Sequence, residues 1–289
     1  MREFAFELSL CAHLERAREA VVSRQLGAAV HGRRGIDTIL VAPGPDFEAR
    51  AAITPETIPG PAIESDVGRG RARFVGDAFD CRPERARAVV ERAVEIGFFE
   101  RERRNGRAYV RQTARYPEDW VDKLVGIENK PDLGRPGALE TQLLTDVHLA
   151  VLDEVILATA SHVTGAHLNR IPEAVGGWEF DPEAGERAVV REPSPLPTAG
   201  WGVEIRERQP GRTAIETVTP GEKARARRRL AERAYGKGWR TYDLPSCVRI
   251  DPDDDALPRC PWKGRVVRPA TDCGPACGGH EPADPPAVG

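Results

Sequence analysis

Leu124-Val125-Gly126-Ile127-Glu128-Asn129-Lys130 is the stretch on which the fold turns. Its apolar opening predicts a buried strand, and a strand sends alternate side chains to the same face. Glu128 and Lys130 therefore share a face at the strand's end. A carboxylate and an ammonium held side by side suit the binding of Mg²⁺ and the stabilisation of charge developing on a phosphate. The bland alternative is a surface ion pair, worth about 0–1 kcal/mol. A lone Glu-x-Lys is a weak motif, so its neighbours decide.

Downstream, Pro131 breaks the strand, Ala138 to Leu152 reads as a helix carrying Gln142, and Glu154 to Thr159 reads as a further strand. Such a strand–helix–strand unit is expected to be parallel and right-handed. Upstream, Gly35-Ile36-Asp37-Thr38-Ile39-Leu40-Val41 sets one carboxylate in an apolar strand. A lone acid there is costly unless it faces an edge, a partner or a metal. Residues 3 to 20 read as an amphipathic helix with Phe6, Leu10 and Leu14 at helical spacing; it carries Glu7 and Glu3. A short helix near Gly165 to Ile171 and a second hairpin, Gly177 to Phe180 with Arg187 to Arg191, follow the second strand.

An Asp in a strand, a later Glu-x-Lys strand, a helix carrying Gln and a hydrophobic strand resemble the PD-(D/E)XK nuclease superfamily, especially its RecB-like members. The resemblance covers residues 1–50 and 120–192. It implies an α/β, restriction-endonuclease-like core, a mixed sheet flanked by helices. It further implies Asp37 and Glu128 as Mg²⁺ (or Mn²⁺) ligands, Lys130 to orient the attacking water, and Gln142 to position these groups. Glu7 would match the family's upstream glutamate, with Glu3 as competitor. Two features depart from the pattern: no Pro precedes Asp37, and a long insertion separates the two acidic strands. The whole chain also resembles an uncharacterised protein family of halophilic archaea, through Arg2-Glu3-Phe4-Ala5-Phe6-Glu7-Leu8 and Ile127 to Leu133.

That insertion, residues 54–116, opens with an irregular, proline-punctuated stretch. Then comes a helix, Pro83 to Ile96, with proline at its start and Gly97 at its end. A hairpin turning at Asn105-Gly106 follows, because both turn positions need positive φ. The unit resembles the second half of a winged helix. Between Arg82 and Arg115 stand ten arginines against five acids. Arg101, Arg103, Arg104 and Arg107 flank the tip and are candidates to grip phosphates. Residues 193–219 read as a linker. A basic helix then carries Arg225, Arg228 and Arg229 as further nucleic-acid candidates, or as a solvated face.

The last segment, within residues 220–289, is rich in Pro, Gly and Asp and crowds four of the six cysteines, Cys247, Cys260, Cys273 and Cys277. Four thiolates suit a structural Zn²⁺ that would stabilise a segment too small for its own core. His280 could replace one of them, and an iron–sulfur cluster is the rival. Cys11 and Cys81 read as small buried hydrophobes.

Composition bounds the rest. The chain has 289 residues, 30% of them charged, with a formal net charge of −3. It holds five lysines against 37 arginines, so each lysine's placement is informative. No secretory signal opens it, and it contains no run of about 18 apolar residues that could span a membrane, so cytoplasmic location is expected. The expected partner is DNA, with RNA possible and no membrane. Three readings follow: a Mg²⁺-dependent nuclease, a catalytically silent nucleic-acid-binding or regulatory protein on the same fold, or a protein whose helix-hairpin and tail are protein-docking modules.

Overall fold

The computed structural model describes residues 2–17, 20–135 and 137–286. Helix α1 (Glu3–Arg16) leads into strands β1 (Val21–Gly27) and β2 (Gly35–Pro43). An excursion follows: α2 (Phe47–Ala51), α3 (Gly60–Ile63), β3 (Arg73–Phe74), α4 (Val75–Ala78), α5 (Pro83–Glu95), β4 (Phe99–Arg104) and β5 (Arg107–Gln112). The chain returns through β6 (Val121–Asn129), α6 (Leu139–Leu149), β7 (Glu154–Thr159), α7 (Gly165–Leu168), β8 (Gly176–Asp181) and β9 (Glu186–Arg191). It closes with β10 (Gly202–Gln209), β11 (Arg212–Val218), the long helix α8 (Pro220–Lys237), and the short β12 (Arg259–Cys260), β13 (Arg265–Val266) and α9 (Pro269–Asp272).

Six strands form one mixed sheet in the order β1-β2-β6-β7-β8-β9. Strand β2 is antiparallel to both β1 and β6, while β6, β7 and β8 run parallel and β9 returns antiparallel. The α6 crossover gives the parallel pair the expected strand–helix–strand unit. Two apolar layers cover the sheet. Val125 and Ile127 of β6 join Phe6, Leu10 and Leu14 of α1 on one face. Leu124 joins Leu143 of α6 and Leu230, Ala231 and Ala234 of α8 on the other. Gly126 sits where a Cβ would collide with Leu152, so a glycine in the central strand lets α6 and its following turn close down.

Most of the expected elements form, and the residues explain the exceptions. The α5 helix and the β4–β5 hairpin are present, with Asn105 at φ 48° and Gly106 at φ 77° in the turn. Short β3 adds to β5, making a three-stranded sheet beside α5. Strand β1 has no counterpart among the expected elements. Ser23, Arg24 and Gln25 break its apolar pattern, yet Arg24 is buried because Glu7 pairs with it. The α1 helix ends at Arg16; residues 18 and 19 of the expected 3–20 helix lie outside the described residues.

Two further differences concern the C-terminal half. Residues 202–218, inside the stretch read as a linker, form the β10–β11 hairpin. Buried Glu204 of that hairpin accepts the backbone N–H of His31 and Gly32, at 2.8 and 3.0 Å. The basic helix α8 is more than a solvated face. Buried Lys223 donates to Pro197 O, Arg227 holds Asp153, and buried Glu232 accepts two bonds from buried Arg50 at 2.6 and 2.7 Å. Tyr116 and Ile58 donate to the same carboxylate. This network ties the excursion to the core. Among the described residues no helix is long and apolar enough to cross a membrane.

Candidate active site

Strand register gathers the acids. Arg24 lies opposite Thr38 and Leu26 opposite Ile36, so Gln25 faces Asp37 across β1 and β2. Thr38 lies opposite Ile127, and one step further sets Asp37 opposite Glu128. A row Gln25–Asp37–Glu128 thus crosses three strands at one rim of the sheet. Gln25 Nε2 donates to both carboxylate oxygens of Glu7, at 3.2 and 3.1 Å, and to Asp37 Oδ1 at 3.3 Å. The Asn129 backbone N–H donates to Asp37 Oδ2 at 2.9 Å. Gln25 holds φ at 52°, which is uncommon outside glycine. Lys237 of α8 stabilises that conformation by donating to the carbonyls of Arg24 and Gln25, each at 2.8 Å.

Arg34, from the β1–β2 loop, completes the cluster. Its Nε and Nη2 bind Asp146 of α6 at 2.9 and 2.6 Å, a forked geometry that guanidinium suits. The same Nη2 reaches Glu128 Oε2 at 2.7 Å. Burial pushes the Glu128 carboxyl up to about 7, with the Asp37 charge adding to the effect against Arg34. Burial likewise raises Asp146 to about 6 despite Arg34. Glu7 is raised as well, by burial first, while Arg24 and Gln25 oppose it. Neighbouring buried carboxyl groups held towards neutrality are a recurrent mark of functional sites.

The expected residues therefore divide. Glu7, Asp37 and Glu128 come together; Glu3 is exposed on α1. Glu128 is buried and pairs with Arg34, which removes the simple Glu128–Lys130 surface pair. Lys130 follows β6 with its backbone N–H still bonded to Ala158 O, so strand alternation keeps it on Glu128's face. The ammonium groups of Lys123, Lys223, Lys237 and Lys263 are each engaged. Among the described residues, Lys130 is the lysine whose ammonium is left available. Gln142 lines a depression of about 540 Å³ beside Arg34, but Asp146, one helical turn further along α6, is the side chain that reaches the acids. Sequence reasoning missed Asp146, Arg34, Gln25 and Asn129. An aspartate inside Leu143-Leu144-Thr145-Asp146-Val147 is the kind of signal that marks Asp37, and it could have been read the same way.

The remaining candidates lie elsewhere. Arg101, Arg103, Arg104 and Arg107 are exposed on the β4–β5 hairpin, with Arg104 over Tyr109 and Arg107 over Phe74. Arg225 and Arg229 line a cavity of about 640 Å³ with Arg85, Arg233 and His31, and Arg229 is paired with Glu64. Arg228 is half-buried on the same helix. His31 lines both that cavity and the depression beside Arg34. In the tail, Cys247 and Cys260 are buried around Ile250 and Val267, with Cys273 against them. The Cys273 thiol is raised by burial, and Cys260 and Cys277 are close enough to add to it. Among the described residues no three His, Cys, Asp or Glu side chains are grouped as a metal-ligand set. That holds of the four tail cysteines as of the acids Glu7, Asp37, Glu128 and Asp146.

A family model described as a family of unknown function (DUF5787) matches residues 21–282, and the chain belongs to that family. No curated protein and no solved structure matches it.

Proposed function

We propose that this member of the DUF5787 family is a Mg²⁺- or Mn²⁺-dependent nuclease with a restriction-endonuclease-like core, hydrolysing phosphodiester bonds in DNA. The observation that carries the reading is the row Gln25–Asp37–Glu128, joined from α1 by Glu7 and continued along β6 by Lys130. The strand with the aspartate, the strand with Glu-x-Lys and the parallel strand beyond the helix lie side by side in one sheet, which supports the PD-(D/E)XK resemblance.

Oxygen donors without sulfur or imidazole suit a hard divalent cation, and Mg²⁺ commonly uses one or two carboxylates while keeping several waters. Asp37 and Glu128 would hold it. Bound there, it supplies Lewis acidity at the scissile phosphate and a more acidic water. The protein's own parts follow from the geometry. Gln25 and the Asn129 N–H fix the Asp37 carboxylate. Arg24 and Gln25 hold Glu7 in place. Lys130 brings an unengaged positive charge to the face where charge would build on the phosphate. The cavity lined by Arg85, Arg225, Arg229 and Arg233 would hold part of the nucleic-acid backbone.

Purified protein with Mg²⁺ or Mn²⁺ is expected to nick plasmid DNA, and Lys130→Ala to lose that activity. Equal cleavage by the variant would remove the mechanism. A second reading, a silent nucleic-acid-binding protein, draws support from Arg34, which neutralises Glu128 and Asp146 together. Binding of DNA in EDTA with no cleavage in either metal would select it. A zinc ion at Cys247, Cys260, Cys273 and Cys277 is part of the same proposal.

A further inference from the structure

Resting on the nucleic-acid reading above and narrowing it, we propose that the cavity between α3, α5 and α8 is a phosphate-monoester site. The group it takes is the terminal phosphate of a DNA strand, or the same phosphate on a mononucleotide. An internal phosphodiester fits it less well.

Arg225, Arg229 and Arg233 recur at every fourth residue of α8, so one helix face carries all three. Arg85 of α5 joins them on the wall of the same cavity, whose volume is about 640 Å³. Like charges at that helical spacing oppose one another, and the nearby carboxylates do not balance them. Glu64 takes up Arg229 at 2.6 Å, and Arg50 takes up Glu232. Arg233 donates to the carbonyls of Arg229 and Gly27, at 3.2 and 2.5 Å, and to no carboxylate among the described residues. Arg85 and Arg225 are exposed, and among the described residues no side chain pairs with either. Glu222, whose carboxylate is held by Thr219, is the remaining acid on the wall. Three guanidinium groups against one carboxylate leave two positive charges in excess. A phosphate monoester carries a charge of about −1.5 to −2 at pH 7 and three acceptor oxygens, whereas each backbone phosphodiester carries a single charge. Partial desolvation and then the Arg229 charge hold the Arg233 guanidinium below its ordinary value, a cost that an arriving anion offsets. Gly27, Ala28 and Ala226 add little bulk to the lining, which leaves room for the sugar that bears the phosphate.

The probes are one short DNA strand with a 5′-phosphate, a 3′-phosphate or hydroxyl ends, and adenosine 5′-monophosphate. Binding to the full chain in EDTA is read by fluorescence anisotropy for DNA and by calorimetry for the nucleotide. A phosphorylated end is expected to bind tighter than hydroxyl ends by about tenfold or more, through charge-assisted hydrogen bonds. Replacing Arg85 and Arg225 together by glutamine should abolish that preference. Ala226→Glu, which adds a carboxylate to the wall, should do the same and serves if the first variant does not fold. Nucleotide binding that both variants lose, without any preference among DNA ends, assigns the site to mononucleotides. A wild type with neither an end preference nor nucleotide binding overturns the proposal, as does either property surviving in the variants. Cleavage is not among the readouts. Hydroxyl-ended DNA bound with neither property removes only this site. Nucleotide binding lost in the variants, with no DNA bound at all, keeps the site and removes the nucleic-acid reading.

Discussion

Lys130 is one of five lysines beside 37 arginines, and it stands two residues beyond a buried glutamate at a strand's end. A compact ammonium and a planar guanidinium are not interchangeable at such a place. Lys130→Ala is expected to cut the cleavage rate by about 10²–10³, the cost of losing one group that stabilises transition-state charge. Lys130→Arg should restore only part of it. The assay is single-turnover cleavage at saturating Mg²⁺, and an unchanged rate in Lys130→Ala would exclude the role. Glu128 makes a prediction of a different kind. Burial raises its carboxyl from 4.5 to about 7 and that of Asp146 from 3.8 to about 6, so the folded chain holds these protons more tightly than the unfolded one. Their contribution to stability is complete below those ordinary values and is lost as pH rises through about 6 and then about 7. Melting temperature in EDTA should fall across that window, and Glu128→Gln should flatten its upper part. A variant that keeps the full slope would show that Glu128 does not titrate there.

Among the elements, α8 has the double role that its composition conceals. One side carries Leu230, Ala231 and Ala234 into the core; Glu232, on the buried surface, is held by Arg50, Tyr116 and the Ile58 N–H. Glu232→Ala would leave Arg50 buried without its partner, at a cost of about 3–5 kcal/mol. Urea unfolding measures this, and a loss below about 1 kcal/mol, typical of exposed pairs, would show the network to be dispensable. On the β4–β5 hairpin, by contrast, Arg101 and Arg103 are exposed to solvent. If the hairpin grips DNA, replacing both with alanine should lower the salt dependence of binding by about one unit of log–log slope for each phosphate no longer neutralised. Fluorescence anisotropy across a salt series reads this, and an unaltered slope would make the hairpin a protein-facing or solvated unit.

At the scale of the molecule, a mixed sheet between two apolar layers brings segments from residues 7, 25, 34, 37, 128 and 146 to one rim. The tail packs its own small cluster around Cys247 and Cys260. If zinc holds it, Cys273→Ser should lose the metal in elemental analysis and melt earlier than the wild type. Wild-type protein free of zinc and iron would show that packing alone holds the segment. What the sequence by itself determined is local. Apolar alternation marked β2 and β6, the proline start marked α5, and Asn105-Gly106 marked the hairpin, because each depends on neighbours a few residues apart. Lone acids in apolar strands marked Asp37 and Glu128 because burial of a charge demands a reason. Only the tertiary structure decided the rest. Strand β1 hides behind Arg24, whose burial depends on Glu7 seventeen positions away, and Asp146 joins Glu128 through Arg34 from a separate loop. Pairing of buried charges is set by spatial approach, which strand register and the α6 crossover create and no local pattern records.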